Sequence, residues 1–298
     1  MSFVDPSIVQ AFNVVLDAGS GMAGLVAPRL FDRLPCKTTK LCFEIDGRFP
    51  NHEANPLIEE NRRHIVERVL AVKADVGIAW DGDADRLGAV DDRGKILWGD
   101  QLMILFSRDV LRERPGATIV SEVKCSQTLY DDIEKHGGRA IMWKAGHSLI
   151  KAKMAEEHAL LAGEMSGHLF FKHRYYGFDD GIYSAARLLE LVARDDRPLS
   201  KMLEGVPKTF SSPEIRFDFP EEKKFQAVER AKERLRKKGR TIEVDGVRVI
   251  LEGGWGLVRA SNTQPAIIMR YEANSEARLR EIERIIQGTV EEIRRELA

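Results

Sequence analysis

The most restrictive feature of the sequence is an apolar stretch that ends in alternating carboxylates. Residues 75–80 read Asp-Val-Gly-Ile-Ala-Trp, which predicts a buried strand. The next six residues, here called the carboxylate loop, contain Asp81, Asp83, Asp85 and Arg86. Glycine and alanine between the aspartates keep this loop short, so that the carboxylates can point into a common space. Mg²⁺ prefers such hard oxygen ligands. The stretch therefore indicates either a metal site or a solvated acidic turn.

The composition excludes several classes of protein. The 298 residues include 46 basic and 47 acidic side chains, and this balance gives no electrostatic case for a nucleic-acid or anionic-membrane partner. The three cysteines lack a Cys-x-x-Cys spacing, which is typical of reduced cytoplasmic thiols. Neither a secretory leader nor a long apolar segment is apparent. We therefore expect a cytoplasmic globular protein of two or three domains.

Strands and helices alternate up to about residue 194, and this alternation predicts parallel strands covered by helices. The predicted strands lie near residues 13–17, 40–44, 75–80, 118–123, 139–143 and 159–163, and the helices near 22–34, 59–73, 101–113, 127–136, 147–156 and 182–194. After residue 198 the pattern changes to α+β, with strands near 214–219, 247–251, 256–260 and 266–271 and helices near 221–238 and at the C-terminus. The predicted fold class is α/β, with two tandem mixed-sheet α/β domains followed by a smaller α+β C-terminal domain.

Polar side chains follow several of the predicted strands of the second α/β region. They include Lys124, Lys144, His147, Glu164, Ser166 and His168. Since parallel strands place their carboxyl ends at one edge of a sheet, these groups should gather there, where such folds bind ligands. Each residue alone also has an ordinary structural explanation, such as a helix cap or a surface charge.

The arginine turn, residues 259–265, joins the last two predicted strands. Its guanidinium, hydroxyl, amide and backbone N–H groups would suit a phosphate, because arginine can bind phosphate with two hydrogen bonds. The other interpretation is a polar hairpin turn without a ligand.

The glycine turn, residues 18–24, follows the first predicted strand. Gly19, Gly21 and Gly24 match the Gly-x-Gly-x-x-Gly spacing of dinucleotide sites, and Glu44 lies about twenty residues beyond. Asp17 argues against this interpretation, because its carboxylate would lie beside a pyrophosphate. A tight strand-to-helix turn explains the same glycines.

The proline loop, residues 47–56, contains His52 and is expected to line an interdomain cleft.

In order and spacing, three of these stretches resemble the α-D-phosphohexomutase family, and within it the bacterial phosphomannomutase/phosphoglucomutase group. The carboxylate loop resembles that family's metal loop. Residues 163–168, Gly-Glu-Met-Ser-Gly-His, are here called the glutamate loop and resemble its sugar-recognition loop. Residues 259–263, Arg-Ala-Ser-Asn-Thr, resemble its phosphate-binding loop. Val-Lys-Cys at 123–125 and Gly-His-Ser at 146–148 lie between them. The resemblance spans essentially the whole chain. It implies a structural role for the glycine turn and domains II, III and IV at residues 1–97, 98–207 and 208–298.

The resemblance also implies a role for each matched residue. The implied metal ligands are Asp81, Asp83 and Asp85, which would hold Mg²⁺. The implied catalytic residues are Arg86, which would steady the transferred phosphate, and Lys124 and His147, which would transfer a proton or stabilise charge. The implied substrate-binding residues are Glu164, Ser166 and His168 for the sugar, and Arg259, Ser261, Asn262 and Thr263 for the phosphate that does not react.

The implied activity is an isomerase reaction, in which a phosphoryl group moves between C1 and C6 of mannose or glucose phosphates through a bisphosphorylated sugar. Glu164 and Ser166 would contact hydroxyls that mannose, glucose and glucosamine share, so the resemblance implies no preference among these sugars. Positioning and charge neutralisation provide most of the catalysis in phosphoryl transfer, and the implied residue types suit that task.

One part of the family pattern has no counterpart here. Full members carry a phosphoserine in a Thr-Ser-His-Asn-Pro-like loop of a first domain, and the dipeptide Ser-His does not occur in this sequence. We therefore expect this chain alone to bind hexose phosphates and Mg²⁺ weakly, to show little or no turnover, and to need a separate N-terminal domain as a partner. A non-catalytic hexose-phosphate binding module would fit the same loops, and an NAD-dependent oxidoreductase would rest on the glycine turn alone.

Overall fold

A computed structural model describes Val4, Ser7 and residues 9–297. The remaining residues at the two termini, which belong to the predicted domains 1–97 and 208–298, lie outside this description. The chain divides into two compact units. Unit 1 comprises the residues up to Ile141 together with Gly146–Val206, and unit 2 comprises Met142–Ala145 and the residues from Pro207 onward. Among the described residues, no helix combines the length and the apolar character needed to cross a lipid bilayer.

The first half of the chain forms a mixed sheet in unit 1. Its strands are β1 (Asn13–Asp17), β2 (Lys37–Leu41), β3 (Val76–Trp80), β4 (Leu87–Asp91) and β5 (Ile96–Leu97), in the order β2-β1-β3-β4-β5. Strand β1 is parallel to both β2 and β3, whereas β4 is antiparallel to β3 and to β5. The carboxylate loop is therefore the short connection that reverses the chain between two fully buried strands, β3 and β4.

A second sheet follows. Its strands are β6 (Thr118–Glu122), β7 (Arg139–Trp143), β8 (Leu161–Gly163) and β9 (Leu169–Phe171), in the order β7-β6-β8-β9. Strands β6 and β8 are parallel, and β9 returns antiparallel to β8. The glutamate loop makes this return. Both ligand-binding loops predicted for unit 1 are thus short reversals at the end of a buried strand.

The helices of this part of the chain are α1 (Ala23–Phe31), α2 (Arg63–Val72), α3 (Gly99–Glu113), α4 (Gln127–Lys135), α5 (His147–Glu156) and α6 (Gly181–Ala193). Helices α3 and α6 are buried along most of their length, and their buried residues are mainly small and aliphatic ones together with a few charged residues such as Asp109, Arg187 and Glu190. Ser126 caps α4 by accepting a hydrogen bond from the N–H of Thr128, and Asp180 caps α6 by accepting one from the N–H of Tyr183. Both caps fix where the helices begin beside the site.

Unit 2 is an antiparallel sheet covered by two helices. Its strands are β10 (Phe210–Ser211), β11 (Ile215–Asp218), β12 (Arg240–Ile242), β13 (Val247–Leu251), β14 (Gly254–Ala260) and β15 (Ala266–Ala273), and its helices are α7 (Lys224–Leu235) and α8 (Glu276–Leu297). The strand order is β10-β15-β14-β13-β12, with β11 also paired to β15. Aliphatic residues of α8, such as Ile282 and Ile286, pack in one core with the sheet. The arginine turn is the hairpin between β14 and β15.

The fold class is confirmed: mixed-sheet α/β domains precede a smaller α+β domain. One strand lies about three residues earlier than predicted, since β2 covers Lys37–Leu41 rather than 40–44. Its residues are half-exposed, so the strand carries little hydrophobic pattern, and the apolar residues that suggested the later position follow its end. Strands β4, β5, β9, β10 and β12 were not predicted.

The glycine turn supports the carboxylate loop through backbone contacts. The N–H of Met22 donates a hydrogen bond of 2.9 Å to the carbonyl oxygen of Gly82. A Cβ atom on Gly21 would lie 2.6 Å from that same oxygen, and one on Gly24 would lie 2.3 Å from the carbonyl oxygen of Phe43. These glycines therefore allow two backbone segments to approach each other, which explains their spacing without a dinucleotide.

We expect Gly21→Ala to lower the free energy of unfolding by about 1–3 kcal/mol, because the added methyl group would overlap a backbone oxygen that has little room to move. The matched control is Gly47→Ala, since a Cβ atom at Gly47 meets nothing within 4 Å. Urea denaturation of both variants measures the difference. Equal unfolding midpoints for the two variants would contradict the proposed backbone contact.

Candidate active site

The carboxylate loop brings three aspartates together. Single oxygen atoms of Asp81, Asp83 and Asp85 all lie within 4.8 Å of one another. Ala84, between the last two, has a φ of 67°, in the left-handed region that favours glycine, and this conformation folds the loop back on itself. The N–H of Gly181, at the start of α6, donates a hydrogen bond of 3.0 Å to the carbonyl oxygen of Ala84. The donor set is made of hard oxygens and fits Mg²⁺.

The three aspartates have different surroundings. Asp81 is buried and accepts hydrogen bonds from the backbone N–H of Arg86, at 3.0 Å, and from its Nε atom. Asp83 is exposed. Burial raises the pKa of Asp85 to about 6, and the charges of Asp81 and Asp83 add to this effect against the opposing influence of His168. The loop thus holds crowded negative charge that a bound cation would relieve.

The glutamate loop lies directly against the carboxylate loop. The N–H of Leu87 donates a hydrogen bond of 3.0 Å to the carbonyl oxygen of Gly167, and Arg86 and His168 form an isolated antiparallel bridge. The side chain of His168 completes the connection, because its Nε2 atom lies 3.4 Å from an oxygen of Asp85 and its Nδ1 atom lies 2.9 Å from an oxygen of Glu164. The two loops therefore form one continuous polar surface within unit 1.

Glu164 is the centre of the glutamate loop. It is 4% exposed, and its second carboxylate oxygen accepts a hydrogen bond of 2.7 Å from the N–H of Gly146. The hydroxyl of Ser166 lies 3.4 Å from Glu164 and 2.9 Å from Nδ1 of His168. Burial acts to raise the pKa of Glu164, but the contacts with His168, Gly146 and Lys124 outweigh it, and the net shift is downward.

The pKa of His168 shifts in the opposite direction. Burial acts to lower it, but the hydrogen bond and the charge of Glu164, together with the charge of Asp85, raise it above its usual value. The two carboxylates therefore favour the protonated form of the imidazole that lies between them. Because the folded-state pKa is raised, this group stabilises the fold at low pH, and its contribution is lost as the pH rises through that pKa.

We expect Glu164→Gln to lower the pKa of His168, because the variant keeps the burial and removes the negative charge that opposes it. An NMR titration of the imidazole in metal-free buffer measures the change. The control is Ser166→Ala, which removes a neutral contact of the same ring and should change the pKa less. An unchanged pKa in the glutamine variant would show that Glu164 does not hold the proton on His168.

Lys124 and His147 lie at the edges of this surface. Nζ of Lys124 is 3.5 Å from an oxygen of the fully buried Glu122, whose other oxygen accepts a hydrogen bond from the N–H of Met165 in the glutamate loop. His147 begins α5, and its exposed ring stacks on that of His168 at a centroid distance of 5.9 Å. Both residues therefore lie beside the glutamate loop.

The arginine turn belongs to unit 2. Arg259 is 6% exposed, and its Nε atom donates a hydrogen bond of 2.9 Å to Asp245. The hydroxyl of Ser261 accepts hydrogen bonds from the N–H groups of Thr263, at 3.4 Å, and Gln264, at 3.2 Å, so that it shapes the turn. Asn262 and Thr263 are exposed at its tip.

Three residues beside the predicted groups were not identified from the sequence. Asp245 orients Arg259, and Asp179 accepts a hydrogen bond of 3.1 Å from Lys151 and lies 3.7 Å from Nδ1 of His147. Asn55 of the proline loop lies 3.5 Å from Arg86. Asp245 precedes a glycine and Asp179 precedes a helix cap, so both resemble ordinary turn residues in the sequence. Only the strand pairings and packing reveal their partners.

Successive parts of the chain match models of one protein family. The matches are to phosphoglucomutase/phosphomannomutase alpha/beta/alpha domain II over residues 3–94, to alpha/beta/alpha domain III over residues 98–210, and to the C-terminal domain over residues 214–287. Together the matched segments leave only short stretches between them and at the ends of the chain.

Similar proteins and structures agree with these matches. A phosphomannomutase/phosphoglucomutase of Pseudomonas putida is 46% identical over 295 residues, which are 98% of this chain and 64% of the relative. A phosphoglucomutase of Neisseria gonorrhoeae is 42% identical over 282 residues, which are 94% of this chain and 61% of the relative. The crystal structure of a phosphoglucomutase/phosphomannomutase family protein from Burkholderia thailandensis has a TM-score of 0.86 and 40% identity, over 96% of this chain and 63% of that one. The chain thus spans less than two thirds of the length of these relatives.

Proposed function

Because this chain belongs to the phosphoglucomutase/phosphomannomutase family, we propose that it binds hexose phosphates and takes part in phosphoryl transfer between C1 and C6 of mannose or glucose phosphates. The transfer proceeds through a bisphosphorylated sugar, so that the net reaction is an isomerisation. The relatives named above are a phosphomannomutase/phosphoglucomutase and a phosphoglucomutase by name. We assign domains II, III and IV to residues 1–97, 98–207 and 208–298. The thiols of Cys36, Cys42 and Cys125 are free, which favours a location in the reducing cytoplasm.

The observation that carries this proposal is the contact between the carboxylate loop and the glutamate loop through His168. It supports a metal ion and a sugar hydroxyl lying side by side, as transfer of a phosphoryl group to that hydroxyl requires. Asp81, Asp83 and Asp85 would hold Mg²⁺, which when bound neutralises charge on the phosphoryl oxygens. Arg86 would add a guanidinium beside the same oxygens.

The remaining residues of unit 1 would position the sugar and move a proton. Glu164 and Ser166 accept sugar hydroxyls, and His168 holds the Glu164 carboxylate in its charged form. When a hydroxyl attacks phosphorus, its oxygen forms the new bond, the bond to the leaving oxygen breaks, and the hydroxyl proton must go to a nearby group. Lys124 and His147, at the edges of the glutamate loop, are the groups that we assign to this transfer or to balancing the charge.

The arginine turn would bind the phosphate that does not react. Arg259 would contact it while Asp245 holds the guanidinium in orientation, and the exposed Asn262 and Thr263 would donate from the tip of the turn. Ser261 would contribute mainly by shaping the turn, since its hydroxyl already accepts two backbone hydrogen bonds.

Isothermal titration calorimetry with Mg²⁺ present tests the proposal. Glucose 1-phosphate and mannose 1-phosphate should bind, whereas glucose without phosphate and NAD should not. Binding of NAD alone would overturn the proposal, and so would the absence of heat with both sugar phosphates.

A coupled assay for conversion of glucose 1-phosphate to glucose 6-phosphate, with a sugar bisphosphate as activator, measures turnover. Robust turnover by the purified chain would contradict the expectation that it needs a phosphoserine domain.

A further inference from the structure

A second group of possible metal ligands lies beside the glycine turn. One ligand atom each of Asp17, Cys42 and His52 lies within 4.8 Å of the other two. The three residues come from separate segments: Asp17 ends β1, Cys42 follows β2, and His52 lies in the proline loop. The function proposed above uses none of them.

The pairing of β1 with β2 fixes the first two residues. Asp17 is the register partner of Leu41, and the N–H of Ser20 donates a hydrogen bond of 2.7 Å to the carbonyl oxygen of Cys42. Asp17 is 1% exposed, and its Oδ1 atom accepts a hydrogen bond of 2.9 Å from the N–H of Gly19. The carboxylate is therefore anchored by the backbone, and Oδ2 is directed toward His52, 3.1 Å away.

His52 has the orientation expected of a metal ligand. Its Nδ1 atom lies 2.9 Å from the carbonyl oxygen of Glu53, and a ring that donates through Nδ1 presents Nε2 to its other neighbours. Metal-binding histidines commonly use one nitrogen in this way and coordinate with the other. The side chain is 10% exposed, and Gly19, with a φ of 53°, leaves room for the proline loop to close over it.

Two other roles for Cys42 do not fit its surroundings. It forms no disulfide, since it is a free thiol. Burial and the neighbouring Asp17 raise its pKa to about 11, so that in the metal-free chain it is a protonated thiol and a poor nucleophile. The combination of thiol, imidazole and carboxylate is, however, a common donor set for Zn²⁺.

We propose that Asp17, Cys42 and His52 form a mononuclear binding site for Zn²⁺ or a transition metal with the same ligand preference. The thiol loses its proton to solvent when the metal–sulfur bond forms, and the proton that Nε2 of His52 shares with Asp17 leaves with it when that nitrogen binds the metal. A cavity of about 340 Å³ opens beside this site and is lined by Cys42, Asn51 and His64, among others. The ring of His64 stacks on that of His52 at 5.8 Å and supports its position, and the fourth coordination position is assigned to water.

The two sites of unit 1 should select different ions. The carboxylate loop offers only oxygen atoms and suits Mg²⁺, whereas the sulfur and nitrogen donors of the second site favour softer metals. Because the two donor sets share no residue, metal binding at the second site does not depend on whether the chain has the proposed mutase activity.

Titration of the chelator-treated, reduced full chain with Co²⁺ tests the proposal, since a Co²⁺–thiolate bond gives a charge-transfer absorption that oxygen-only sites cannot give. We expect one equivalent of Co²⁺ to produce this absorption and Zn²⁺ to remove it by displacement. Cys42→Ser should abolish it, and His52→Asn should abolish it or weaken Co²⁺ affinity at least 10-fold. Cys36→Ser is the matched control and should leave it unchanged. Circular dichroism establishes that each variant is folded.

Three outcomes would overturn the proposal: no thiolate absorption in the unaltered chain, retention of the absorption in Cys42→Ser, or its loss in Cys36→Ser with Cys42 intact. Asp83→Asn, which alters only the carboxylate loop, should leave the absorption in place.

Discussion

Asp81→Asn is expected to abolish Mg²⁺ binding and also to lower the free energy of unfolding by about 2–3 kcal/mol, whereas Asp83→Asn should abolish Mg²⁺ binding and leave stability nearly unchanged. Asp81 is buried and receives two hydrogen bonds from Arg86, one from the backbone and one from the side chain. Asp83 is exposed. The two aspartates thus provide the same kind of metal ligand in different structural settings.

The expected difference in the free energy of unfolding between Asp81→Asn and Asp83→Asn depends on how far Arg86, the partner of Asp81, is buried. The side chain of Arg86 is 23% exposed and that of Asp81 2%, so removing the carboxylate charge leaves a guanidinium that water solvates only in part. Breaking a fully buried pair costs about 3–5 kcal/mol, and the partial exposure of Arg86 reduces that figure.

Urea denaturation in the presence of a chelator measures the free energy of unfolding without any contribution from bound metal. Calorimetric titration with Mg²⁺ measures metal binding separately. If both variants lost equal stability, the ion pair between Asp81 and Arg86 would not support the loop. If either variant bound Mg²⁺ as tightly as the unaltered chain, that aspartate would not be a ligand.

Arg259→Ala is expected to weaken binding of glucose 1-phosphate roughly 10- to 100-fold, because a charged hydrogen-bond donor to phosphate contributes about 1.5–3 kcal/mol. Arg259→Lys should recover only part of this loss, since a lysine cannot reproduce the planar guanidinium that Asp245 orients. Asp245→Asn should cause a smaller loss, because it removes the orienting charge and keeps the arginine.

The matched control is Arg216→Ala. Arg216 lies on the neighbouring strand β11 and donates a hydrogen bond of 2.8 Å to the side chain of Gln264 in the arginine turn, but it is exposed. It should alter affinity much less than Arg259. Calorimetry with the phosphorylated and the unphosphorylated sugar separates phosphate recognition from sugar recognition; equal losses in Arg216→Ala and Arg259→Ala would indicate a general charge effect rather than a phosphate site.

Much of the site could be predicted from the sequence because its chemistry is concentrated in short loops. The carboxylate loop, the glutamate loop and the arginine turn each contain their polar groups within a few residues, and each follows a strongly apolar strand. The local pattern is then sufficient to identify the loop and to place it at the end of a strand.

Other features could not be predicted because they depend on pairing between distant segments. Asp245 and Arg259 meet only through the register of β13 and β14, and the group of Asp17, Cys42 and His52 needs three separate segments. The half-exposed strand β2 carries little hydrophobic pattern, which explains the error in its position.

The backbone contacts beneath the carboxylate loop have a consequence for its motion. Its carbonyl groups at Gly82 and Ala84 accept hydrogen bonds from Met22 and Gly181, and the next strand begins with a hydrogen bond from Leu87 to Gly167. These amide protons should exchange with solvent slowly, at rates typical of the core, although they lie in turns. The loop would then open only together with much of the surrounding structure, so the positions of its carboxylates should change little between the ion-free and ion-bound chain.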